Sequence, residues 1–281
     1  MSGFSEQWLA LREPVDHRSR SARARGCLVA RLAALECPRV LDIGSGSGSN
    51  LRALAPFLGP RQSWRLVDHD PLLLAAARQN LADWAESSHA TSGGILTLEK
   101  SGATIDVSFE QADLAAGVGA LLDAGRDLVT AAAFFDLVGE DWIARFCADL
   151  VARKIPLFAA LTYDGRETWR PPHAADAAML AAFHAHQSAD KGFGPAAGPR
   201  AHGLLASRFK AAGWRVEADE SDWMLGAADA ALVSALAEGS AGAATETGLV
   251  DAQAVADWLA SRRRAETCVV GHMDLFAAPY F

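Results

Sequence analysis

The chain has no excess of positive charge. Against 34 Asp and Glu stand 26 Lys and Arg, a formal net charge of −8, whereas a protein that tracks a phosphate backbone shows a basic patch on a basic domain. Nucleic acid is therefore not an expected partner. Cysteine is scarce as well: Cys27, Cys37, Cys147 and Cys268 form no C-x-x-C pair and sit mostly inside apolar runs, the pattern of reduced core residues. No uninterrupted apolar stretch approaches the ~18 residues that a membrane span needs. The first fourteen residues carry Glu6, Arg12 and Glu13 and no long apolar core of a signal peptide, so no membrane association is expected and the expected compartment is the cytoplasm. No period of 20 to 50 residues recurs, which excludes a solenoid.

What is present is a globular composition, 51% hydrophobic over 281 residues, enough for one large domain with a sizeable lid. From Arg39 onward apolar runs alternate with helical patterns, the signature of an α/β fold with a parallel sheet covered on both faces. Strands are expected at Arg39 to Ile43, Trp64 to Asp68, Leu128 to Phe134, Ile155 to Thr162, Trp214 to Glu217 and Cys268 to Phe276. A hairpin turning at Ser101-Gly102 supplies the third parallel strand, Thr104 to Glu110. The expected architecture is a seven-stranded, mostly parallel, doubly wound sheet with its last strand antiparallel, in a single domain over 1–281. Leading helices occupy 1–37, a lid or substrate loop 163–200 with a short helix from about Ala174 to His186, and a helical insertion 226–262 broken near Gly239 to Gly242. The early arginines, Arg12, Arg18, Arg20, Arg23 and Arg25, read either as a solvated helix face or as contacts to an anionic ligand.

The most informative stretch is Val40-Leu41-Asp42-Ile43-Gly44-Ser45-Gly46-Ser47-Gly48-Ser49-Asn50. An apolar strand stops at an acid and runs into a glycine-rich turn, where missing Cβ atoms let the backbone pass close to a ligand ahead of the next helix. The dinucleotide fingerprint places its third glycine three residues after the second; that position is Ser49, and the extra glycine is Gly48, giving D-x-G-x-G-x-G.

This pattern resembles motif I of the class I S-adenosylmethionine (SAM)-dependent methyltransferases, and the resemblance extends over the sheet from Arg39 to Phe276. It implies SAM as cofactor, with its methionine moiety against the turn of Asp42, Gly44, Ser45, Gly46, Gly48 and Asn50. Asp68, ending the second strand, matches the acid that accepts both ribose hydroxyls, a task suited to the two oxygens of a carboxylate. His69 would flank the adenine. Asp113, followed by Leu114, matches the acceptor of the adenine amino group, and the fourth strand, through Ala131 to Phe135, matches the segment that lines the cofactor. Asp68 and Asp113 also fit simple helix N-caps, and Asp136 fits either a substrate contact or a cap for the helix beginning near Glu140.

Methyl transfer from a sulfonium is an in-line displacement, so positioning supplies much of what a protein must add. A hydroxyl or protonated amine acceptor also needs a base, for which Asp136, His184 and Lys191 are the expected catalytic residues, with Tyr163, Asp164, His186 and Asp190 as further candidates. On a helix His184, Gln187 and Lys191 share a face, reading either as a polar pocket wall or as solvated loop. His184 and His186 are two residues apart, about 200° around a helix, and cannot share one metal ion; no metal is expected. The expected partner is a small-molecule methyl acceptor, methylated on O or N. No Asn-Pro-Pro-Tyr-like motif follows the fourth strand, which disfavours amide-nitrogen or base methylation. Two other readings stand beside this one, a SAM-binding sensor or partner subunit without turnover and a nicotinamide-dependent oxidoreductase. His272 reads as a packing residue, and oligomeric state is not addressed by the sequence.

Overall fold

The expected alternation is what forms in the computed structural model, which describes residues 5–122, 125–190 and 192–280. Two leading helices, α1 (Glu6–Ser19) and α2 (Ala22–Leu32), precede β1 (Arg39–Ile43), α3 (Ser49–Leu54), β2 (Arg61–Asp68) and α4 (Pro71–Trp84). Three strands follow, β3 (Ser87–Ala90), β4 (Leu96–Lys100) and β5 (Ala103–Gln111), then β6 (Leu128–Ala132), α5 (Glu140–Arg153) and β7 (Leu157–Arg170). The chain continues through α6 (Asp176–Gln187), α7 (Ala201–Ala211), β8 (Arg215–Glu220), β9 (Trp223–Leu225), α8 (Ala230–Thr247), α9 (Ala252–Arg262) and β10 (Thr267–Ala278).

The sheet order is β3-β4-β5-β2-β1-β6-β7-β10-β8, with β9 beside β10. Strands β5, β2, β1, β6 and β7 pair in parallel, and β10 runs antiparallel to both β7 and β8. The seven-stranded core is therefore present, and three short strands are added to it. β4 is the outer arm of the hairpin expected at Ser101-Gly102, whereas β3 and β9, of four and three residues, carry too little periodicity to be read from sequence. Side-chain alternation builds a core on each face. Val40, Trp64, Leu66, Val107, Leu128 and Phe158 point one way, and Leu41, Ile43, Val67, Val129, Leu157 and Ala159 the other.

Two expectations are corrected. Residues 163–170 are not loop: β7 runs on to Arg170, held by pairing from Tyr163↔His272 to Arg170↔Thr267, so the excursion starts at Pro171. Nor is the helical insertion broken at Gly239 to Gly242; α8 passes through both glycines and ends at Gly248, whose φ is +63°. Burial of the small face formed by Ser240, Ala241, Ala243 and Ala244 outweighs the roughly 1 kcal/mol that each helical glycine costs. The excursion helix α6 is tied to this insertion: the Trp258 indole donates to Asp176 Oδ1 at 2.7 Å, and buried Arg262, beside the rings of Trp169 and Trp258, donates to the Pro171 carbonyl at 2.7 Å.

The leading helices are fixed to the sheet by Asp274 in β10, which is fully buried. Its Oδ2 accepts the Ser21 N–H at 3.0 Å and its Oδ1 the Leu161 N–H at 2.7 Å. Leu161 sits at φ +54°, a conformation that a leucine adopts only when its surroundings hold it. Replacing Asp274 by Ala strands two buried donors, each worth about 1–3 kcal/mol. Asp274→Ala should therefore lose about 2–6 kcal/mol of unfolding free energy in urea titrations; a loss below about 1 kcal/mol would show that water satisfies both groups.

Candidate active site

The turn after β1 is built by backbone geometry. Gly44, Gly46 and Gly48 have φ of +62°, +52° and +80°. A Cβ on Gly44 would lie 2.6 Å from the Phe134 ring, and one on Gly46 would lie 3.2 Å from Leu9 Cδ1. Glycine is thus needed at Gly44 for close approach as well as for conformation. Gly48 caps α3 and faces Ala77 and Leu81. Asp68 locks the turn to the end of β2, its Oδ2 accepting the Gly46 N–H at 2.8 Å and its Oδ1 accepting the Asp70 N–H at 3.0 Å. His69 Nδ1 lies 3.2 Å from Asp68 Oδ1. Asp113 caps the short 3-10 turn Leu114–Ala116 by accepting the Ala115 N–H at 2.9 Å, and it borders the cavity.

Beneath the turn lies a buried polar network. The Asn50 amide donates to Asp42 Oδ1 at 2.8 Å and to Thr130 Oγ1 at 3.1 Å, and its carbonyl accepts from Arg20 Nη1 at 2.7 Å. Thr130 donates in turn to the Phe158 carbonyl at 2.9 Å. Burial pushes the Asp42 carboxyl up to about 7, although the Asn50 hydrogen bond and the Arg20 charge act in the other direction.

These elements enclose a cavity of about 610 Å³ at the carboxyl ends of the parallel strands. Gly44, Ser45, Gly46 and Asn50 line it from the turn, Asp68, His69 and Leu73 from the end of β2, and Asp113 and Leu114 from beyond β5. Ala132, Ala133 and Phe134 close the β6 side, where Ala133 holds φ +50°. Leu9, Arg12, Asp16 and Arg20 form the wall given by the leading helices, and His186 and Phe193 come from the excursion.

Several expected residues stand elsewhere. Asp42, Gly48 and Ala131 do not line the cavity; Asp42 and Ala131 are fully buried behind it. Asp136 is buried in the turn Phe135–Leu137 and accepts from Gln187 Nε2 at 3.1 Å; the cap of α5 is Gly139 instead. His184 also points away from the cavity. Its Nε2 lies 2.9 Å from the Tyr163 hydroxyl, burial holds its pKa below the ordinary imidazole value, and burial pushes the Tyr163 phenol up, so the hydrogen bond joins two neutral groups. Lys191 lies outside the described residues. His272 packs against Trp223, with ring centroids 4.9 Å apart, and its Nδ1 donates to the Val270 carbonyl at 3.0 Å; burial lowers its pKa to about 3. Among the described residues no group of three His, Cys, Asp or Glu is placed to hold a metal ion.

The early arginines divide. Arg18 and Arg23 are surface ion pairs with Asp229 and Glu217, but Arg12 and Arg20 are buried and border the cavity. The signal for Arg12 was its spacing to Asp16, four residues on and thus on the same helical face; Arg20 follows α1 as its C-cap. Arg12 pairs with Asp16 through two hydrogen bonds of 2.8 and 3.3 Å.

No sequence-family model matches the chain, and no curated protein sequence matches it. Solved structures do. The cyclopropane synthase MmaA2 from Mycobacterium tuberculosis superposes with a TM-score of 0.51 at 12% identity, over 98% of this chain and 94% of that one. A SAM-dependent methyltransferase from Geobacter sulfurreducens in complex with S-adenosylhomocysteine gives 0.48 at 19% identity, over 99% and 100%. The chain has the class I SAM-dependent methyltransferase fold. In this methyltransferase fold the cavity sits where open α/β sheets bind ligands, beyond the carboxyl edge.

The buried acid under the turn has a measurable consequence. An unfolded Asp42 releases its proton near its ordinary value of 3.8, the folded one near 7, so between those values the folded state binds more protons and stability falls as pH rises. The melting temperature of the unliganded protein should therefore drop more between pH 5 and 7.5 than that of Asp42→Asn, which lacks this titration. Superimposable profiles would show that Asp42 ionises at its ordinary pH.

Proposed function

We propose that the protein is a SAM-dependent methyltransferase acting on an O or N atom of a small-molecule acceptor in the cytoplasm. One observation carries this reading: the turn of Gly44 and Gly46 is hydrogen-bonded to Asp68, and both face the same cavity as Asp113. Its ~610 Å³ falls within the ~300–1,000 Å³ typical of small-molecule sites. The net charge of −8 speaks against nucleic acid, and no helix among the described residues is long and apolar enough to cross a membrane.

SAM supplies an activated methyl group on a positively charged sulfur. The chain's residues then have three tasks. Asp68 would accept the ribose hydroxyls with the lone pairs left by its two backbone bonds, and Asp113 would accept the adenine amino group. Phe134, Phe193, Leu137 and Leu9 exclude water around the reacting atoms, which strengthens every polar contact inside. An acceptor hydroxyl or ammonium gives up its proton to a base, and His186 is the imidazole of the excursion that borders the cavity, with Nε2 3.0 Å from Glu246 Oε2. Asp136 and His184, the bases expected from sequence, act one step back: through Gln187 and Tyr163 they hold α6 in place. Lys191, a base expected from the sequence, is a further candidate.

The nicotinamide reading is disfavoured by Ser49 at the third-glycine position. A sensor without turnover binds the same cofactor and differs only in making no S-adenosylhomocysteine.

Calorimetric titration should give micromolar binding of SAM and S-adenosylhomocysteine and none of NAD or NADP. Tight nicotinamide binding without SAM binding would overturn the proposal. Asp68→Ala should weaken SAM by roughly one to three powers of ten, since two charge-assisted hydrogen bonds are lost with partial compensation by water. Unchanged affinity in that variant would mean that Asp68 only braces the turn.

A further inference from the structure

The wall that α1 gives to the cavity contains an ion pair whose cation is only half used. Arg12 and Asp16, 9% and 6% exposed, both line the cavity. Both Asp16 oxygens are engaged: Oδ2 accepts Arg12 Nε at 2.8 Å, while Oδ1 accepts Arg12 Nη2 at 3.3 Å and the Trp223 indole N–H at 3.0 Å. The Trp223 ring also lies against the guanidinium, its centroid 5.2 Å from Cζ. Asp16 thus occupies one edge of the Arg12 fork and Trp223 one of its faces. Nη1 has no hydrogen-bond partner among the described residues. The end-on edge formed by Nη1 and Nη2 is left for a ligand, and its two parallel donors match a planar group with two oxygens.

Charge decides where in the cavity such a group can sit. The ends of β2 and β5 contribute the carboxylates of Asp68 and Asp113, which repel an anion, whereas on the leading-helix wall Arg12 and Arg20 outnumber Asp16. The rest of the lining includes Leu9, Leu137, Phe134 and Phe193, all apolar. We propose that the methyl acceptor is a small carboxylic acid with an apolar body, recognised through its carboxylate by the end-on edge of Arg12. This inference rests on the methyltransferase reading above and names the acceptor class for it. Asp16 and Trp223 are positioning residues, because they fix the plane of the guanidinium without using the edge that meets the ligand. A primary amide of the same shape offers one acceptor oxygen and no charge, so the site discriminates against it.

The test is calorimetric titration of the protein saturated with S-adenosylhomocysteine, using 4-hydroxybenzoate, 4-hydroxyphenylacetate and 4-hydroxycinnamate, each beside its primary amide. At least one acid should bind roughly 10- to 100-fold more tightly than its amide, the range for a charge-assisted contact. In Arg12→Gln that preference should shrink to about threefold or less, while S-adenosylhomocysteine affinity changes by no more than about threefold. Retained S-adenosylhomocysteine binding also shows that the variant is folded. Arg12→Lys, which keeps the charge without the fork of donors, should recover part of the preference. Acids and amides that bind alike overturn the inference, as does failure of every acid to bind a protein that holds S-adenosylhomocysteine. A preference that survives in Arg12→Gln overturns it too, and so does a large loss of S-adenosylhomocysteine affinity in that variant, which would give Arg12 to the cofactor. If the unaltered protein binds no S-adenosylhomocysteine, the methyltransferase reading itself fails before any acid is added, and this inference falls with it.

Discussion

Asn50 uses its whole amide. Both N–H groups donate, to Asp42 and Thr130, and its oxygen accepts from Arg20, so one buried side chain joins β1, β6, α3 and the segment between the leading helices. The polar groups it joins are buried, and each would be costly without its partner. This constraint sets the shape of the cavity: it holds the glycine turn over β1, keeps the Asp42 carboxyl in a medium where its proton is retained to about pH 7, and fixes the Arg20 guanidinium at the wall. The second constraint, Asp274, acts at the far side of the same segment by accepting the Ser21 N–H. Between these two anchors the link from α1 to α2 has no freedom to leave the site.

The cavity is roofed by parts of the chain that depend on each other. α6 is held to α9 by the Trp258–Asp176 hydrogen bond, the start of the excursion to α9 by Arg262, and α6 to α8 by His186 and Glu246. Phe193 meets Phe134 and Trp142 edge to face, with ring centroids 6.1 and 6.0 Å apart, bringing the excursion down onto the end of β6. The helical insertion between β9 and β10 is thus the support on which the roof rests, which gives a structural reason for its length.

How much of this was readable in advance follows from the range of each interaction. The turn, Asp68 and Asp113 are local features: a strand, an acid at its end and a glycine or cap residue beside it, all within a few positions, so the pattern alone located them. The central strands β1 and β6 and the first half of β7 were legible as continuous apolar runs, because they are buried on both faces, and β5 by the alternation of Ile105, Val107 and Phe109. The outer half of β7 was not. Tyr163 to Arg170 is mostly polar, with Gly165 and the run Arg166-Glu167-Thr168, and its strand form comes from pairing with β10 about a hundred positions away. Arg12 and Arg20 were visible as a cluster, but their burial depends on where Asp274 and Asn50 bring the leading helices. His184 and His186 had the same local context, and only the packing of α6 sends the first to Tyr163 and the second to the cavity.

The account's central claim is that the cavity beyond the glycine turn holds a nucleoside ligand through Asp68 and Asp113. A crystal structure of the protein soaked with S-adenosylhomocysteine tests it most directly. The account predicts electron density for adenine beside Asp113 and Leu114 and for ribose hydroxyls on Asp68. Density that leaves Asp68 and Asp113 untouched, or that lies outside the cavity they border with Gly44, would contradict it.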